Sequence, residues 1–179
     1  MDMSSRELWT ALHGMVLGAA FLLAFSGGLV GLLGLRAQWI TPEGARRAAG
    51  RLIAWTWTMA LLAWFTVLVG TYIVYPWYRA KPPPGTSSAA LAGYPKYLLV
   101  SSPRTADWHE FGMEWKEHVA WLAPILATAV AFVVTRYREQ VAADNQVRRA
   151  LIMLYSLAFF AASVAGLFGA LINKAAPTR

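Results

Sequence analysis

No cysteine occurs in the chain. Its absence excludes disulfides, thiolate metal sites, iron–sulfur clusters and covalently attached c-type haem. Charge is also scarce: Asp, Glu, Lys and Arg make up 14% of the residues, and hydrophobic residues reach 58%. Soluble domains carry about 25% charged residues, so an ordinary soluble globular domain is excluded. Acids are the scarcer sign, nine against sixteen Lys and Arg. The basic residues gather between long uncharged stretches and form no stripe with interleaved aromatics. The expected partner is therefore the lipid bilayer and not nucleic acid. There is no Gly-rich phosphate loop, no nucleophile elbow and no HExxH, so no hydrolytic or transferase activity is expected.

Four apolar segments account for most of the 179 residues. The first, 8–35, carries His13 as its single titratable imidazole, and the second, 52–78, has no acid or base. The third, 118–137, is free of charge up to Arg136, and the fourth, 150–173, has none. Each meets the roughly 20 residues needed to cross about 30 Å of hydrocarbon. Backbone groups in lipid must satisfy one another, so the segments are expected to be helices. The expected fold is all-α: an integral membrane four-helix bundle of two antiparallel helical hairpins, with helix three extended outside the membrane. The first run exceeds the 7–15 residues of a signal-peptide core and follows a start that is not basic, so it is read as a span.

Loops 36–51 and 136–149 carry eight of the sixteen Lys and Arg, while six of the nine acids lie on the other side. The dense Arg loops are expected in the cytoplasm. Both termini and the connection 79–117 are then expected outside a plasma membrane crossed four times. Within that connection, 80–104 is rich in Pro, Ser and Gly and reads as irregular loop, with 97–100 extended or interfacial. Trp108, Phe111, Trp115, His118 and Leu122 recur at helical spacing, so a helix is expected from about 105, capped by Thr105. Pro124 is expected to kink it.

His13 and His118 each lie nine residues outward of their helix centres, in one layer. Ala20, Ala24, Gly27 and Gly31 form a small-residue face on the helix bearing His13, suited to the bundle interior, with Gly14 and Gly18 beside it. Two neutral imidazoles on facing helices suit the axial positions of a b-type haem. Tyr72 and Tyr75 occupy the same layer, and Arg79 and Lys116 lie beyond it, where they suit haem propionates. Glu110, Glu114 and His118 form a stripe at four-residue spacing, but the other spans offer no carboxylate to complete a metal site. The expected function is a small membrane electron-transfer component binding one haem b near the outer face, with quinone or other membrane redox subunits as exchange partners. The alternative is a cofactor-free accessory or assembly subunit of a larger membrane complex, docking through its aromatic, acidic outer helix.

Overall fold

Capping residues set three of the helix starts. In the computed structural model, which describes residues 4–35 and 42–178, Ser4 opens the first helix. Its hydroxyl accepts from the Glu7 amide at 3.2 Å, and the Glu7 carboxylate accepts from the Ser4 amide at 2.8 Å, a reciprocal capping box. The elements are α1 (Ser5–Gly34), α2 (Arg46–Tyr78, whose helical turns begin at Pro42), the short α3 (Pro95–Val100), α4 (Pro103–Arg136), the short α5 (Arg138–Ala143) and α6 (Asn145–Ala175). The described chain is 89% helical with no strand, and α1, α2, α4 and α6 are each long and apolar enough to cross a membrane. This is an all-α four-helix bundle of multi-pass membrane type. The spans exceed the sequence boundaries at most ends. Residues 36–41 of the first Arg loop, with Arg36, lie outside the described residues.

Three expectations for the 80–124 region are corrected. The helix-three cap is Ser102, not Thr105: Ser102 is extended, its hydroxyl accepts from the Arg104 amide, and Pro103 supplies the first helical φ. Thr105 instead donates its hydroxyl to the Leu99 carbonyl at 2.6 Å. Residues 97–100 are helical, within α3, because Pro95 starts a turn there. Residues 88–93 form a 3₁₀ turn, so the loop is less irregular than its composition suggests. Proline 124 does disturb α4, but upstream of itself: residues 119–121 tighten into a 3₁₀ turn, where the ring would crowd the Ala120 carbonyl.

The chain divides into two units. The loop unit comprises residues 19–64 and 122–162. Its core contains Phe21, Ala24, Leu32, Met59, Val130 and Tyr155. The small face of α1 packs inward as expected: Ala24 is fully buried, Gly27 lies against the Trp55 ring and Gly31 against Leu52. The tightest approach is at Gly28, beneath the Tyr155 hydroxyl. Tyr155 is fully buried, stacks on Phe25 and donates to the Ala24 carbonyl at 3.1 Å. Two indoles on α2 donate to hydroxyls on α4: Trp57 to Thr135 and Trp64 to Thr128, both at 3.0 Å. Thr135 and Thr128 donate in turn to carbonyls four residues back. Leu23, Val30, Phe132, Met153 and Phe160 point outward, as lipid-facing side chains do. The turn into α6 is held by Asp144, which accepts from the Gln146 amide at 2.7 Å, and by Arg148, which donates to the Val141 and Ala142 carbonyls at the end of α5. Tyr155→Phe should lower stability by about 0.6–1.7 kcal/mol, the range for one interhelical hydrogen bond in a membrane. Detergent unfolding of the variant beside the parent checks it.

The terminal unit comprises residues 4–18, 65–121 and 163–178 of the described chain. It holds a second, smaller core of Tyr78, Leu99, Met113, Ile172 and Ala176. Three π-helical turns occur in this unit: 12–16 in α1, 70–74 in α2 and 108–113 in α4. The described part of the loop unit has none. The turn in α2 has a visible cause. Pro76 cannot donate, and its ring would clash with the carbonyl four residues back. The inserted residue relaxes that turn, and the Tyr75 amide bonds the Gly70 carbonyl five residues away. Pro76 therefore does not end the helix, which continues to Tyr78.

Candidate functional site in the terminal unit

Single-turn π insertions concentrate at functional sites because they re-aim side chains away from the regular helical stripe. Here two of them meet. His13, within the α1 insertion, lays its ring over Gly70, the first residue of the α2 insertion. A methyl group at Gly70 would sit 2.8 Å from His13 Cε1. Glycine at 70 thus makes room for the imidazole. The ring also reaches the Thr66 backbone, and its Nδ1 is buried with no hydrogen-bond partner. An orphaned ring nitrogen inside a helical bundle is uncommon.

The third insertion carries His109. Its Nδ1 shares a hydrogen bond with the Tyr78 hydroxyl at 2.9 Å, and the two rings pack at 5.9 Å. Glu117 faces the Tyr75 hydroxyl and acts electrostatically on Tyr78 and His109. Arg79 donates to the Tyr75 hydroxyl at 2.9 Å and lies over its ring. Tyr75, Tyr78, Arg79, His109 and Glu117 thus form one polar cluster where α2 ends and α4 begins. Sequence reasoning placed Tyr75 and Arg79 in this layer but missed Tyr78, His109 and Glu117. The available signal was the density of phenol, imidazole and carboxylate on either side of the 79–102 connection.

The other expected site residues lie apart. Tyr72 is 71% exposed. Lys116 extends to α6, where its ammonium donates to the Ala165 carbonyl at 3.2 Å and fills the space left by Gly169. His118 is exposed, and its Nδ1 lies 3.1 Å from the Glu114 carbonyl and 3.3 Å from the Glu114 carboxylate. The contact is local, between residues four apart on one helix. The expected facing of His13 and His118 is absent: one ring is packed on α2 and the other is turned outward along its own helix. Gly14 and Gly18 meet nothing within 4 Å of a built Cβ. Among the described residues, no group of three or more His, Asp or Glu is placed to hold a metal ion, and no His group is placed to ligate a haem.

On α4, Arg104, Asp107, Glu110, Phe111, Glu114 and His118 are exposed along one face. Asp107, Glu110, Phe111, Arg104 and the edge of Trp108 line a cleft of about 640 Å³. The helix is pinned to α6 by Phe168, whose ring meets Trp108, Phe111 and Trp115 at 5.5–6.4 Å. No protein-family model matches the chain, and no curated protein or solved structure matches it.

Proposed function

We propose that the chain is an accessory or assembly subunit of a larger membrane complex, holding no haem of its own and docking its partner through the exposed face of α4. The density of Arg in loops 36–51 and 136–149 supports a plasma-membrane orientation with both termini and this face outside. The observation that carries the reading is the cleft on α4. Two acids, one Arg and a Phe111 that is 61% exposed lie side by side there, on a helix that Phe168 holds against α6. An apolar ring set beside Asp107 and Glu110, with Arg104 at the edge, suits a protein surface of complementary charge: the ring supplies burial and the charged groups supply selection. Lipid chains offer the carboxylates nothing. The separate settings of His13 and His118 withdraw support from a bis-histidine haem.

Two measurements test this. A photo-crosslinking residue at Phe111 in native membranes should give a protein adduct, and the same residue at lipid-facing Phe132 should give none. Equal behaviour at the two positions would remove the docking face. Visible absorption of the detergent-purified protein should show no haem bands. Sharp α and β bands that disappear in His13→Ala and in His118→Ala would restore the electron-transfer reading.

A further inference from the structure

A second cleft lies in the loop unit, where α4 gives way to α5. The chain leaves the helical region at Tyr137 and bends. The bend gathers Thr135 and Arg136 from one helix and Arg138, Glu139 and Gln140 from the next around a space of about 450 Å³. Every one of these side chains is polar. Both walls are fixed. Thr135 accepts from the Trp57 indole and donates to the Ala131 carbonyl, which ties the rim of the cleft to α2. Beyond Gln140, Val141 is fully buried, and Arg148 holds the carbonyls that end α5. The charges in the cleft are left open: among the described residues, no ion pair joins Arg136, Arg138 or Glu139 to a partner. One turn back on the same stripe of α4, Phe132 is exposed as a lipid-facing side chain. The cleft thus stands where the apolar surface of a span gives way to water, the level of lipid headgroups. Two guanidiniums match a phosphodiester, and a carboxylate beside them matches a primary ammonium. A purely anionic headgroup would leave Glu139 facing like charge. We propose that this cleft binds a membrane phospholipid whose headgroup carries both a phosphate and a primary ammonium, with its acyl chains along the Phe132 face.

The site shares no residue with the α4 docking face, and its test needs no partner protein. Full-length protein in neutral detergent is offered equal amounts of phosphatidylethanolamine, phosphatidylglycerol and phosphatidylcholine, and the lipid retained is counted in native mass spectra. One phosphatidylethanolamine per chain should remain, at least threefold over either competitor. Phosphatidylglycerol has no ammonium for Glu139, and the quaternary ammonium of phosphatidylcholine has no N–H to donate. Glycerophosphoethanolamine, the same headgroup without chains, should not displace the lipid. Glu139→Gln should reverse the preference towards phosphatidylglycerol, because the cleft then keeps both positive charges and no negative one. Arg136→Gln combined with Arg138→Gln should abolish retention, while Arg149→Gln, at an exposed arginine of the same unit outside the cleft, should preserve it. Glu139→Gln keeps both arginines and carries the test should the double variant fail to fold. Equal retention of phosphatidylglycerol by the parent, displacement by the chainless headgroup, an unchanged preference in Glu139→Gln, or full retention in the double Arg variant would overturn the site.

Discussion

Gly28→Leu should cost about 3 kcal/mol or more and leave little folded protein in mild detergent. Overpacking a filled core typically costs about 1–3 kcal/mol. Here a built Cβ would stand 2.2 Å from the Tyr155 hydroxyl and 2.7 Å from Cζ. That ring cannot step aside, because it is fully buried, stacked on Phe25 and bonded to the Ala24 carbonyl. The substitution therefore also breaks an interhelical hydrogen bond worth about 0.6–1.7 kcal/mol. Gly27→Leu should be milder, since Trp55, which it meets, is 41% exposed and free to swing outward. Gly34→Ala meets nothing within 4 Å and should change stability by no more than about 1 kcal/mol, in the stabilising direction. Unfolding of the three variants in one detergent orders them. A Gly28→Leu protein as stable as Gly34→Ala would mean that α1 and α6 do not meet at Tyr155.

Phe168→Ala should cost about 2–3 kcal/mol and release the start of α4 from α6. Three ring contacts converge on this side chain, the edge-on approach of Phe111 at 5.5 Å being the closest. Such pairs contribute about 0.5–1.5 kcal/mol each beyond simple burial. Gly112 would bring a Cβ to 3.3 Å from the same ring, so α4 runs close against it. Phe160→Ala, at a lipid-facing ring on the same helix, should cost no more than about 0.5 kcal/mol. The fluorescence of Trp108 and Trp115 reports the release directly, as a red shift in Phe168→Ala alone. An unchanged emission would mean that the aromatic contacts do not hold the two helices together.

Span number and the inward face of α1 were legible because they rest on long-range properties of sequence: charge-free length, and small residues repeated at helical spacing. Even so, the pattern pointed to Gly27 and Gly31, while the closest contact is at Gly28. The phase of a helix is set by its partners, and Tyr155 lies 127 positions away. The α4 cap was misread by three residues. Thr105 and Ser102 are both competent caps, and Pro103 decides between them by fixing the φ that follows Ser102. The π insertions were illegible. One additional residue rotates everything beyond it by about 100°, and 3.6-residue periodicity over a short window cannot register that shift. For this reason His13 could be placed in its layer but not aimed. His109, carried on the third insertion, faces Tyr78. By contrast, the Glu114–His118 contact was legible, because no insertion falls between those residues.

Trp57 and Trp64 are separated by the same seven residues as Thr128 and Thr135, and they pair in reverse order. The two hydrogen bonds are thus rungs of an antiparallel ladder with a two-turn step. Sliding α2 past α4 by a single turn, about 5.4 Å, breaks both rungs at once and presents neither indole with a new hydroxyl. The pair acts as a ratchet pawl engaged at a single tooth. Rotation about either helix axis strains the two rungs in the same sense, whereas a tilt about the midpoint between them strains them in opposite senses. Any rearrangement of these two helices that leaves the ladder intact is confined to small tilts about that midpoint. Larger displacements have to begin with the release of both indoles into hydrocarbon.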